Sequence, residues 1–260
     1  MIDIGVNLTS TRFAKDLDDV IARAKDVGVS KQLVTGTNIQ ESEAAIVLAQ
    51  RYPDYLYTTA GIHPHNADDA DDNFVDQITK LAQSSTVKAI GECGLDYNRN
   101  FSSPENQRRV FKAQISLAAE LRLPLFLHQR DAFTDWYQLL EPYFGKVPAM
   151  VSHCFTGSEQ ELLQCLDAGM YIGITGWLCD KKRGQALRDI VAKIPLERLM
   201  IETDAPYLTP QNIRPKPKSS RNEPAYLPYV VDMIAECTDY SAEQIISHSN
   251  QNAARVFNLI

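Results

Sequence analysis

What the chain lacks narrows it first. Its five cysteines are scattered, odd in number and without a Cys-x-x-Cys pair. That excludes a disulfide framework and a zinc ribbon, and a reducing compartment fits best. Net positive charge is also missing. With 26 Lys and Arg against 33 Asp and Glu, the formal charge is −7. This excludes a protein that coats nucleic acid by bulk attraction, but not an enzyme that takes an anion at one locally basic site. No window approaches the ~18 apolar residues of a membrane span. Met1 to Gly5 is not a basic region leading into an apolar stretch, so no secretory signal is expected. The expected address is the cytoplasm. No Gly-x-x-x-x-Gly-Lys-Ser/Thr, Gly-x-Ser-x-Gly or His-Glu-x-x-His is present. No linker or low-complexity segment divides the 260 residues, and an apolar share of 44% suits an unstapled core. A single domain spanning 1–260 is expected.

What is present is a regular alternation. Short apolar runs begin near Ile2, Gln32, Tyr55, Val87, Pro124, Ala149, Tyr171 and Leu199. Between most of them apolar residues recur at helical spacing, as in Phe13, Leu17, Val20, Ile21 and Ala24. Strands alternating with helices imply parallel pairing through crossovers, and eight such units in ~250 residues match a (β/α)₈ TIM barrel of the α/β class. The competing open doubly wound sheet is weakened because no Gly-x-Gly-x-x-Gly follows the first strand. Segments 226–236 and 242–257 are expected to close the barrel as helices.

In such barrels the chemistry gathers at the carboxyl ends of the strands. Those ends carry Asp3 and Asn7, Thr37, His63 and His65, Glu92, His128, His153, Thr175 and Asp204. Four of the five histidines fall there. The fifth, His248, is expected to be structural. His128, His153 and Glu92 offer two nitrogens and a carboxylate with a position left for water, and Asp204 with a bridging Glu92 offers a second ion. By alternation, Cys93 and Cys154 are expected to face the helix shell as small apolar residues. Arg99, Arg130, the run from Lys181 to Arg183, Arg214, Lys216, Lys218 and Arg221 follow strand ends and form an expected cationic rim for phosphates. Tyr97, Phe155, Trp177 and Tyr207 share that rim and are candidates for stacking on bases.

Several stretches together resemble the TatD-type deoxyribonuclease family, metal-dependent barrels related to the amidohydrolases. They are Gly61-Ile62-His63-Pro64-His65, Gly91-Glu92-Cys93-Gly94-Leu95-Asp96-Tyr97, Leu127-His128, His153-Cys154-Phe155-Thr156-Gly157, Ile201-Glu202-Thr203-Asp204-Ala205-Pro206 and Arg221-Asn222-Glu223-Pro224. The resemblance runs along essentially the whole chain. It implies a metallo-dependent hydrolase fold and hydrolysis of DNA, often from the 3′ end, with Mg²⁺ as the usual activator. It also implies that Glu92, His128, His153 and Asp204 bind metal while His63 faces substrate.

One departure stands out. Most members of that family begin Asp-x-His-x-His, whereas this chain reads Asp3-Ile4-Gly5-Val6-Asn7, a form that resembles a recognised subgroup. Without the two histidines, the first site retains only oxygen donors, Glu92, Asp204 and Asn7, which favours a weakly held Mg²⁺. The His128/His153/Glu92 site also suits Mn²⁺ or Zn²⁺.

The expectation is therefore a metal-dependent 3′–5′ exodeoxyribonuclease on single-stranded DNA with up to two ions, monomeric, with no membrane partner. Glu92, His63 and Asp204 are the catalytic candidates. His63, His65, Arg130 and Arg221 are the substrate-binding candidates, and Glu202 is expected to support Asp204. Two alternatives remain at this stage: an amidohydrolase-like enzyme on a small C–N or phosphoester substrate, and a non-catalytic metal- or DNA-binding protein.

Overall fold

Runs of aliphatic and β-branched residues become strands buried on both faces, as in a parallel sheet covered by helices. The computed structural model describes residues 1–259, so Ile260, where the expected domain ends, lies outside the described residues. The strands are β1 (Ile2–Val6), β2 (Lys31–Val34), β3 (Leu56–Ala60), β4 (Val87–Asp96), β5 (Leu125–Arg130), β6 (Met150–Ser152), β7 (Tyr171–Ile174) and β8 (Leu199–Ile201). All eight belong to one sheet in the order β1 to β8, which is the topology of a (β/α)₈ barrel.

The helices are α1 (Leu17–Asp26), α2 (Ile39–Arg51), α3 (Phe74–Leu81), α4 (Pro104–Leu121), α5 (Phe133–Leu140), α6 (Glu159–Asp167), α7 (Gln185–Arg188), α8 (Leu227–Cys237) and α9 (Ala242–Phe257). Their starts are written in side chains. Ser103 Oγ accepts from Asn106 N, with Pro104 at the first helical position. Ser158 with Glu161, and Ser241 with Gln244, form capping boxes on α6 and α9.

The chain divides into two compact units. One comprises Met1–Val34 and the segment from Cys154 onward, and the other comprises Thr35–His153. In the first, β1 pairs with β2 and β7 with β8. Asp204 N donates to Gly5 O at 2.8 Å and Asn7 N to Ala205 O at 2.7 Å, so the chain after β8 lies along β1. Helix α9 pins β8 by polar contacts: Ile201 N donates to Ser249 Oγ, and Asn252 Nδ2 donates to the carbonyls of Leu196 and Leu199. In the second unit, β4 lies between β3 and β5, and β5 pairs onward with β6.

Two differences from the sequence reading bear on the site. First, β4 and β5 run past the positions where apolar residues give out. Cys93 pairs with Leu127, Gly94 with His128 and Asp96 with Arg130. Glu92 and His128 therefore sit on strand backbone, not on loops. Glycine makes this register attainable. Gly91 and Gly94 have φ of 144° and 152°, and a Cβ on either would collide with a β5 carbonyl oxygen, that of Phe126 or His128. Second, the connection from β7 to β8 contains only the four-residue α7 followed by 3₁₀ turns at Val191–Lys193 and Leu196–Arg198. Pro195, which has no N–H to continue a helix, separates those turns.

Candidate metal centre

On a strand, residues two apart share a face, so Glu92, Gly94 and Asp96 point the same way from β4. Buried carboxylates on that face need partners, and histidines supply them. Glu92 Oε1 lies 2.9 Å from His128 Nδ1 on β5 and 2.9 Å from His153 Nε2, the residue after β6. His63 Nε2, from the end of β3, is 3.3 Å away. One carboxylate oxygen thus gathers three imidazoles. Asp96 forms the neighbouring node: its Oδ2 accepts from His65 Nε2 at 2.7 Å and lies 3.4 Å from His128 Nε2. The His63 ring packs edge-on against those of His65 and His128, with centroids 4.3 and 4.5 Å apart.

Buried glutamines on α4 hold this arrangement from behind. Gln114 accepts from Ile62 N and donates to Ile62 O, which fixes the backbone next to His63. Gln107 accepts from Asp96 N and donates to Asp96 O and Ser102 O. A buried amide with both ends paired is a rigid peg.

The electrostatics follow from burial and pairing. Burial would raise Glu92, but His153 and His63 together with its hydrogen bonds hold it well below the usual carboxylate range. Burial likewise opposes ionised Asp96, and the neighbouring His128 and His65 with the N–H of Arg99 overcome it, so Asp96 is also lowered. Burial pulls His63 down to about 4 against the attraction of Glu92, leaving it neutral near pH 7. For His128, burial is outweighed by Asp96 and Glu92, and the net direction is upward.

This donor set suits a divalent cation. His63, Glu92 and His128 each offer a ligand atom, and those atoms lie within 4.8 Å of one another. His128 Nε2 is buried, and its contact with Asp96 Oδ2 at 3.4 Å is not aligned as a hydrogen bond, so this atom is left for a ligand to satisfy. His63 fits less well as a ligand. Its Nδ1 accepts from His65 N at 3.1 Å, so the neutral ring carries its proton on Nε2, the atom that faces Glu92. His153 Nε2 is as near to Glu92 Oε1 as His128 Nδ1 is, at 2.9 Å.

The other expected residues are distributed as follows. Arg130 ends β5 opposite Asp96. Asp204 lies in the other unit, where it accepts from Asn7 Nδ2 at 3.0 Å. Glu202, fully buried in that unit, accepts from Cys154 N. Arg221 grips both oxygens of Asp16 at 2.7 Å, so its guanidinium has an internal partner. Arg183 is likewise bound to Asp180 and stacked over Trp177. Phe155 is buried, which removes it from the expected stacking residues, whereas Tyr207 is exposed. Cys93 is buried as expected, and burial pushes its thiol up. Cys154 differs: it is half-buried, has φ of 45°, and its Sγ lies 3.4 Å from Thr175 Oγ1. His248 lies on α9, 3.9 Å from Glu197. Asp96, Gln107, Gln114 and Phe101 were not singled out from sequence. For Asp96 the signal was there, since it shares parity with Glu92. Gln107 and Gln114 are seven apart on α4 and so share one helix face.

The family model described as TatD related DNase matches residues 2–258. A protein of Pectobacterium carotovorum subsp. carotovorum (strain PC1), named 3′-5′ ssDNA/RNA exonuclease TatD, is 53% identical over 259 residues, covering 100% of both chains. The protein of that name in Salmonella typhimurium is 51% identical over 260 residues, again covering 100% of both. Among solved structures, a TatD family hydrolase from Entamoeba histolytica superposes with a TM-score of 0.90 at 28% identity. It covers 100% of this chain and 98% of its own.

Proposed function

Because the chain belongs to the TatD-related DNase family, we propose that it is a metal-dependent exonuclease that removes nucleotides from the 3′ end of single-stranded DNA. Its relatives' names extend the substrate class to RNA. They also weigh against the C–N substrate and the non-catalytic alternatives. The observation that carries the reading is the single carboxylate oxygen of Glu92 shared by His128, His153 and His63.

In this proposal Glu92, His128 and His153 hold a divalent ion, Mg²⁺ by preference with Mn²⁺ or Zn²⁺ tolerated. Asp204 is a candidate ligand for a second ion. When bound, the metal supplies Lewis acidity and lowers the pKa of coordinated water. The chain's own groups do the rest. His63, neutral with its proton on Nε2 and held in that tautomer by His65 N, would turn this proton from Glu92 to a phosphate oxygen once Glu92 is engaged by the ion. His65, steadied by Asp96, contacts phosphate on the same side. Arg130 and Arg221 are further candidate phosphate contacts. We read residues 1–260 as one domain acting as a monomer. No helix of the described residues is long and apolar enough to cross a membrane. All five cysteines are free, which agrees with the cytoplasmic address the sequence suggests.

The test is digestion of a 5′-labelled single-stranded oligonucleotide with Mg²⁺, with and without chelator. A ladder shortening from the 3′ end and abolished by chelation is expected. Intact substrate under all divalent ions contradicts the reading.

A further inference from the structure

An exonuclease that walks along any sequence needs a grip on the strand that does not read the base. Stacking on an aromatic side chain provides one, since every base has a π-face. Phe101 is 67% exposed, so most of a large apolar ring is open to a flat partner. It stands beside the metal centre: its centroid is 4.8 Å from that of His65, with the planes at 75°.

We propose that Phe101 is the platform on which a base of the bound strand stacks while its phosphate is held at the Glu92 cluster. This rests on the exonuclease reading above.

The loop that carries Phe101 is built to present it. Asp96, whose Oδ2 takes the His65 proton donor, uses Oδ1 to accept from Asn98 N at 3.0 Å and Arg99 N at 2.8 Å. One carboxylate therefore ties the histidine cluster to the start of the loop. The loop's far side is tied as well. Ser102, 2% exposed, donates from Oγ to His65 O and accepts there from Asp68 N, while its carbonyl accepts from Gln107 Nε2. Residues on both sides of Phe101 are thus anchored to the turn that bears His65, while the ring itself stays exposed. A planar apolar surface next to groups suited to phosphate matches the two halves of a nucleotide.

The experiment compares wild type, Phe101→Ala and Phe101→Trp on single-stranded oligonucleotides with Mg²⁺. An abasic residue is placed in turn at each of the last three positions of the 3′ end. Wild type is expected to lose about tenfold in kcat/KM when the stacked base is missing at one of these positions. Phe101→Ala should show that loss on the fully based strand and no further penalty from the abasic residue. Phe101→Trp should keep the wild-type pattern. Melting temperatures should coincide, because the ring is exposed. If Phe101→Ala retains the full abasic penalty, or no position shows one, the platform assignment is wrong although the exonuclease reading stands. If wild type cleaves none of the strands, the exonuclease reading falls and takes this proposal with it.

Discussion

The carbonyl oxygen of His128 occupies the space where a side chain on Gly94 would begin. This close approach brings the β5 backbone against β4 at the level of the metal centre, and the register Gly94 to His128 depends on it. Gly94→Ala is expected to combine a strained positive φ with a steric clash, costing about 3 kcal/mol. Thermal unfolding should show a melting temperature lower by about 5–10 °C. Metal affinity should fall with it, because His128 moves away from Glu92.

Asp96 is expected to matter nearly as much as a ligand. Asp96→Asn replaces a charged acceptor, leaving His65 and His128 without the partner that orients them. A loss of about 10–100-fold in metal affinity or in kcat/KM is expected, with the fold intact by circular dichroism.

Proton competition gives a third expectation. Ligand histidines must be deprotonated to bind a metal, and the carboxylates around His128 raise its pKa. Metal binding should weaken by about tenfold or more between about pH 8 and about pH 6 and should release protons. Calorimetric titration in buffers of different ionisation enthalpy measures that release directly.

The first unit carries its own pH dependence. Asp3 is fully buried, and burial pushes it up to about 7 despite donors from Thr203 N and Oγ1 and from Gly5 N. Between the unfolded value of 3.8 and about 7, the folded chain binds more protons at this position than the unfolded chain. The contribution of Asp3 is thus fully present at low pH and is lost as pH rises through about 7, on the order of 4 kcal/mol in total. Asp3→Asn should flatten this part of the profile, as read from urea midpoints at about pH 5 and about pH 8.

Much of this site was legible because its residues stand where apolar runs stop. The alternation of strands and helices gave the topology, and the strand ends gave Glu92, His63, His65, His128 and His153. Strand length was not legible. Hydrophobicity ends at Ile90 and Leu127, yet pairing continues to Asp96 and Arg130 because two glycines admit close backbones and the polar side chains find partners across the strands. That hid Asp96, which shares a face with Glu92. Gln107 and Gln114 could not be assigned either, since a polar residue on a helix reads as surface until its buried backbone partners are known. Cys154 went astray because its left-handed backbone breaks the alternation on which its orientation was inferred.

Glu92 is expected to organise a divalent-ion site on which hydrolysis depends. The most direct measurement is Mn²⁺ titration of wild type and Glu92→Gln, followed by electron paramagnetic resonance, with single-strand cleavage assayed on the same samples. Wild type is expected to bind the ion and cleave, while Glu92→Gln, still folded, is expected to lose binding and at least about 1,000-fold in rate. Equal Mn²⁺ binding and undiminished cleavage by Glu92→Gln would contradict this expectation.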